Sequence, residues 1–254
     1  EDRVVTPQSS FVLAPTIQVA DRVIHEAHVR GTQRMIYRYP TPGAVVSFVA
    51  RALPELVATL PRSVRDRISG MGVAMPFQLW SWVQLIGAPQ SEMDAWRDRD
   101  IQAELATLTG MPVYVQNDAT SACGAELVFG TGDRPRDFLY FYFGYFIGGG
   151  LVLNGQLFLG RSGNAAGVGP LPVQGKDGQV DRLLNAASMS TLARAMDAAG
   201  QSSDHLWEQH DQWIVSDEIL SDWMDQAANG LAWAALSASS LLEIEAVMID
   251  GWMP

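Results

Sequence analysis

Asn117 and Asp118 stand side by side directly after PVYVQ, an apolar run at 112–116. A carboxylate at the carboxyl end of a strand lies where open α/β folds bind their ligands. Asx residues are also good N-caps, and ATSACGAELVFG starts at once after them, so capping is a second and compatible role for the pair. Gly148, Gly149 and Gly150 let backbone approach a ligand and could cradle a phosphate through their N–H groups; the same three residues would also suit a tight turn. The remaining candidates have plainer readings. His25 and His28 fall at odd spacing in a strand-like segment, on opposite faces, and so are no chelating pair. Cys123, the one cysteine, lies mid-helix without a neighbouring base and reads as a packing residue; its solitude excludes an intrachain disulfide and any zinc site built from several cysteines. Trp80, Trp82 and Trp96 could stack on a carbohydrate, although a chain with eight tryptophans has packing or a subunit interface to supply as well.

These residues must be positioned by alternating elements. RVIHEAHV (22–29) and MIYRY (35–39) read as extended. A helix follows in which Val45, Val49, Leu53, Leu56 and Leu60 recur at helical spacing, with Pro54 expected to kink it and Pro61 to end it. GMGVAMP (70–76) reads as a buried strand. Ser91 and Asp94 form a capping-box pattern opening a helix over 91–109, which Gly110 stops. After the PVYVQ strand comes a helix closed by Gly130, then β-rich segments DFLYFYF, GGLVL and QLFL, the last two joined by Asn154-Gly155, a type I′ hairpin signal. A glycine-rich loop at 160–178 precedes helical segments near 181–199 and 215–241, and IEAVMID (244–250) is a final strand. Strands alternating with helices and linked by hairpins predict α/β layers with mixed sheets, in an N-terminal lobe at 1–115 and a C-terminal lobe at 116–254.

Composition narrows the function classes. With 48% hydrophobic and 18% charged residues, and no apolar run near membrane-spanning length, the 254 residues predict a globular chain with no membrane partner. EDRVVTPQSS has neither the basic nor the apolar region of a signal peptide, which points to a cytoplasmic protein. A net charge of -11, with 17 basic residues that form no cluster, predicts that these residues do not themselves bind DNA.

GVAMP (72–76), PVYVQNDATSACGAELVFG (112–130), FGYFIGGGLVLNGQLFLG (143–160), GNAAGVGPLPV (163–173) and LLEIEAVMIDG (241–251) together resemble the ROK family (repressor, open reading frame, kinase) in order and spacing, over roughly residues 11–254. The resemblance implies a two-lobed, actin-like or ribonuclease-H-like ATPase fold with a sugar site in the interlobe cleft. In the family's kinases the Asn-Asp pair orients the sugar and supplies the general base, which puts Asn117 and Asp118 in those roles; phosphoryl transfer needs the attacking oxygen aligned and relieved of its proton. Gly72, Ala74 and Gly167 are the other positions implied to line the ligand. Gly148, Gly149, Gly150 and Gly251 are those implied to lie near phosphate or nucleotide.

The pattern breaks at four places. The phosphate turn of the kinases falls on Thr16-Ile-Gln-Val-Ala20, with neither acidic metal ligand nor glycine turn. Gly167 and Pro170 stand where the family has a sugar-binding Glu and a His. QGKDGQVDRLLNAASMS replaces the zinc-binding cysteine run, with Leu184 at a further sugar-binding Glu position, so no zinc is expected. In IDGWMP, Gly251 has Asp250 and Trp252 as neighbours at the turn near the adenosine, where Trp252 could stack or serve the core. Scaffold kept and chemistry thinned predicts the sugar-responsive effector and oligomerisation domain of a regulator, with no cofactor, forming a homodimer or homotetramer. Any helix-turn-helix contacting DNA would lie outside these residues, and the chain reads as truncated after its last strand. The competing expectation is a hexose kinase using ATP and Mg²⁺.

Overall fold

The computed structural model describes residues 10–12, 41–81, 83, 88–130, 135–208 and 213–251. The extended segments expected at 22–29 and 35–39, the Thr16–Ala20 turn, His25, His28, Trp82 and Trp252 lie outside them. The chain divides into two units, residues 1–117 and 118–254.

In the first unit β1 (Ser10–Val12) runs antiparallel to β2 (Met71–Met75), which runs parallel to β3 (Val113–Asn117), with Val73 opposite both Phe11 and Val115. Helix α1 (Pro42–Thr59) starts where the Thr41 hydroxyl accepts from the Ala44 N–H at 3.3 Å and Pro42 takes a position that needs no amide donor. The expected stripe holds, with Val45 and Val49 buried and Leu53, Leu56 and Leu60 half-buried. The helix runs on past Pro54 and ends before Pro61, after which Arg62–Arg65 forms a short α2.

The single helix expected over 91–109 is two. Gln90–Asp94 (α3) follows Pro89, with no side-chain cap; Ser91 sits inside it. Ile101–Thr109 (α4) is capped instead by Asp100, whose Oδ1 accepts from the Ala103 N–H at 3.0 Å. The chain turns between Asp94 and Asp100, so the cap of the longer helix falls nine residues beyond Ser91. Gly110 then closes α4 in the left-handed conformation, φ 68°.

The second unit is built on a four-stranded sheet in the order β6-β5-β4-β9, where β4 is Phe138–Phe143, β5 Ile147–Leu153, β6 Gln156–Leu157 and β9 Ala246–Gly251. β4 pairs antiparallel with β5 and parallel with β9. It is buried on both faces, which is why FLYFYF reads as an unbroken apolar run. Phe138 and Tyr140 face helix α5 (Asp118–Phe129) with Cys123 and Val152. Leu139, Phe141 and Phe143 face the larger core formed with α6 (Leu183–Ala187), α7 (Met189–Ala198) and α9 (Asp217–Ser239). A short helix, α8 (His205–Glu208), lies between α7 and α9 in the chain and contributes Leu206 to that core. Asn154 and Gly155 turn the β5–β6 hairpin with φ of 56° and 71°, both positive as type I′ requires. Within the segment expected as a loop, Pro172–Gln174 (β7) pairs with Val180–Arg182 (β8) as a second hairpin. Among the described residues no helix is long and apolar enough to cross a membrane.

Candidate functional site

Asp118 opens α5 immediately after β3 ends on Asn117. Its Oδ1 accepts from the Ala119 N–H at 2.9 Å, so the carboxylate does serve the first turn of its helix. Burial raises the pKa of Asp118 above the ordinary carboxylate value, opposed by the backbone N–H groups of Ala119 and of Asp118 itself. A half-buried carboxylate with a raised pKa binds a proton more tightly than an exposed one, which is the direction that suits a general base.

The three glycines are interior residues of β5, not a turn, and they determine how closely α5 lies on the sheet. A β-carbon on Gly148 would come within 2.5 Å of Ala119 Cβ, and one on Gly150 within 2.3 Å of Cys123 Cβ. Gly149 faces the other way, where a β-carbon would meet the Tyr140 carbonyl at 2.8 Å and Val168 at 2.9 Å. The glycines thus seat the helix that carries Asp118.

Beside them stands a group that the sequence pattern did not single out. Tyr140 donates its hydroxyl to Asp250 Oδ2 at 2.6 Å, and the Gly251 N–H donates to Asp250 Oδ1 at 2.6 Å. Tyr142 lies opposite Asp250 in the β4–β9 register. Its phenol is raised by burial first and then by the carboxylates of Asp118 and Asp250. Both acids therefore act on one tyrosine. The signal available was the i, i+2 spacing of Tyr140 and Tyr142, which sets them on one face of β4. Gly251 has φ 135° and presses on Phe143, whose carbonyl oxygen a β-carbon would meet at 2.4 Å.

Gly167 and Pro170 are exposed, in a loop whose end docks on α6 through main-chain bonds: the Leu184 N–H donates to the Gly169 carbonyl and the Leu183 N–H to that of Leu171, each at 2.9 Å. Leu184 is half-buried and packs with Ala166 and Leu171 against the large core. The β7–β8 hairpin stands where the cysteine run was looked for, tied to α9 by a Lys176–Asp222 ion pair and by the Asn229 amide donating to the Gln174 carbonyl at 3.1 Å. Among the described residues no group of three or more His, Cys, Asp or Glu could hold a metal ion. In the first unit the register sets Gly72 and Ala74 with Tyr114 and Gln116 on one face of β2–β3, and Asn117 with Met75 on the other. Cys123 is buried on the sheet-facing side of α5, its thiol pushed up to about 12 by burial, then by Glu126. Trp96 is buried, as a packing residue would be, and Trp80 is half-buried.

A sequence model of the ROK family matches residues 23–253. A glucokinase from Halalkalibacterium halodurans is 30% identical over 122 residues, 48% of this chain and 37% of that protein. A xylose repressor from Bacillus subtilis is 26% identical over 119 residues, 47% of this chain and 30% of the repressor. The matched region is thus about a third of these relatives' length. Among solved structures, a ROK family glucokinase from Streptomyces griseus in complex with glucose and AMPPNP superimposes with a TM-score of 0.58 at 22% identity, covering 84% of this chain and 73% of that one. At that identity the likeness is one of fold.

Proposed function

The chain belongs to the ROK family and has its actin-like α/β fold, and from that premise we propose that it is the effector-binding and oligomerisation domain of a transcriptional regulator that senses a sugar or sugar derivative without phosphorylating it. The reading rests on Leu184. This half-buried side chain packs against the large core of the second unit, at a position where the resemblance implies a sugar-binding carboxylate. Gly167 and Pro170 likewise offer the ligand no side-chain hydrogen bond. A chain that keeps Asp118 and gives up these polar partners suits recognition better than transfer, which depends on positioning and on charge stabilisation at the phosphoryl group. The xylose repressor among the relatives is consistent with this reading, as is a homodimeric or homotetrameric, cytoplasmic protein that meets DNA through a helix-turn-helix outside these residues.

The second reading, an ATP-dependent hexose kinase, is favoured by one observation. Asp118 is desolvated at the head of α5, as a general base would be. Two measurements on one preparation separate them: thermal midpoint against a panel of hexoses, pentoses and their derivatives, and coupled turnover with ATP and Mg²⁺. The regulator reading expects a sugar-dependent rise in midpoint and no turnover. ATP-dependent phosphorylation that disappears in Asp118→Asn would replace it with the kinase reading.

A further inference from the structure

At the carboxyl ends of the parallel strands β4 and β9, where α/β sheets present donors to ligands, the donors already hold an anion that belongs to the chain. Tyr140 Oη reaches Asp250 Oδ2 at 2.6 Å and the Gly251 N–H reaches Oδ1 at 2.6 Å, both charge-assisted bonds of the short, strong kind. The backbone that supplies the second donor is fixed, because Gly251 has φ 135° and lies against Phe143 with no room for a β-carbon. Asp118 is the second carboxylate bearing on the intervening Tyr142, and among the described residues neither acid is ion-paired. A phosphate approaching this strand end would meet occupied donors and two carboxylates with no cation paired to them, Asp250 exposed and Asp118 half-buried, whose negative charge repels it.

We infer that Asp250 is a specificity-determining residue: its carboxylate fills an anion cradle made by Tyr140 and Gly251 and so keeps nucleotide phosphates away from this end of the second unit. The inference deepens the proposed function and rests on it for the claim that the accepted ligand is an uncharged sugar. Uncharged hydroxyls, unlike phosphates, can donate to a carboxylate and are not repelled by it.

The test compares the wild type with Asp250→Gly, which empties the cradle, and Asp250→Asn, which removes the charge with little change of shape. ADP binding is measured by calorimetry, and thermal midpoints are followed with inorganic phosphate against sodium chloride of equal ionic strength. Asp250→Gly should bind ADP at least about ten-fold more tightly than the wild type, a difference well beyond calorimetric error, and gain a phosphate-dependent midpoint shift that the wild type lacks. Asp250→Asn should move the same way by less, and Tyr140→Phe added to Asp250→Gly should reverse the gain. Should Asp250→Gly fail to fold, Asp250→Asn alone decides. Equal ADP affinity in the wild type and the folded variants overturns the inference. Sugar response is recorded on the same samples: a sugar shift without an ADP gain sinks the Asp250 inference and leaves the regulator reading standing, while an ADP gain without any sugar shift does the reverse.

Discussion

A β-carbon on Gly150 would lie 2.3 Å from Cys123 Cβ and 2.6 Å from its sulfur, so the Cys123 side chain of helix α5 rests directly on the backbone of strand β5. Gly148 makes the same approach to Ala119, one residue after Asp118. The candidate base is therefore held in place by what is missing from β5, two β-carbons on the helix-facing side. Interiors packed to this density transmit small displacements, because there is no void to absorb them.

Gly150→Ala should then destabilise the protein by about 3 kcal/mol, at the upper end of ordinary overpacking, and Gly148→Ala by a similar amount. Both should also weaken any function of Asp118 by lifting the start of α5. Cys123→Ala should recover little of the Gly150→Ala loss, since the nearer clash, at 2.3 Å, is with the β-carbon that alanine keeps; Cys123→Gly should recover more, less about 1 kcal/mol for glycine in a helix. Urea unfolding of the four proteins measures this. Rescue by Cys123→Ala would show that the sulfur, not the backbone separation, sets the fit.

The same packing makes Cys123 inert. Its thiol is fully buried and pushed up to about 12, chiefly by burial, so almost no thiolate is present at neutral pH. A disulfide reagent at pH 8 should leave the native protein unmodified over hours and label one thiol per chain once urea is added. Fast labelling of native protein would mean that α5 opens readily from β5.

Trp223 joins α9 to the rest of the second unit. Its indole N–H donates to the Ser188 carbonyl at 3.2 Å and to Thr191 Oγ1 at 3.0 Å, and its ring meets Phe143 edge-on with centroids 5.8 Å apart. Trp223→Phe should lower stability by about 2 kcal/mol, combining unmade hydrogen bonds with a smaller buried ring. Thermal unfolding at pH 7 is sufficient to read it, and an unchanged midpoint would place the anchor of α9 elsewhere.

What the sequence made legible follows from where local signals are strong. The Asn154-Gly155 hairpin, the Gly110 stop and the β4 run were readable because turn chemistry and two-sided burial act on neighbouring residues. The capping box at Ser91 misled because Asp100 offered a competing cap that only the chain's path after Asp94 could favour. Asn117 and Asp118 could be singled out as a pair at a strand end. The Tyr140–Asp250 bond could not, because its partners are separated by 110 positions and meet only through the parallel pairing of β4 with β9. The glycines illustrate a different limit. Their number was plain, but whether a ligand or a helix requires them depends on what lies above β5, and that is a tertiary fact.

Asp118 carries the last prediction, in its pH dependence. Burial raises its pKa in the folded state above the unfolded value, which is about 3.9 for aspartate. The folded protein thus binds this proton more tightly than the unfolded chain does. By linkage its contribution to stability is fully present below the unfolded value and is lost as pH rises through the folded one. Asp118→Asn cannot ionise, and its side-chain oxygen can still accept from the Ala119 N–H. Wild type and Asp118→Asn should therefore be about equally stable near pH 3.5, with the variant pulling ahead as pH rises through the folded pKa and holding a constant advantage above it. Urea midpoints for the pair across that range give the answer. A variant less stable than the wild type at pH 7 would show that the ionised carboxylate is held by partners strong enough to outweigh its desolvation, and that Asp118 is a structural cap before it is anything else.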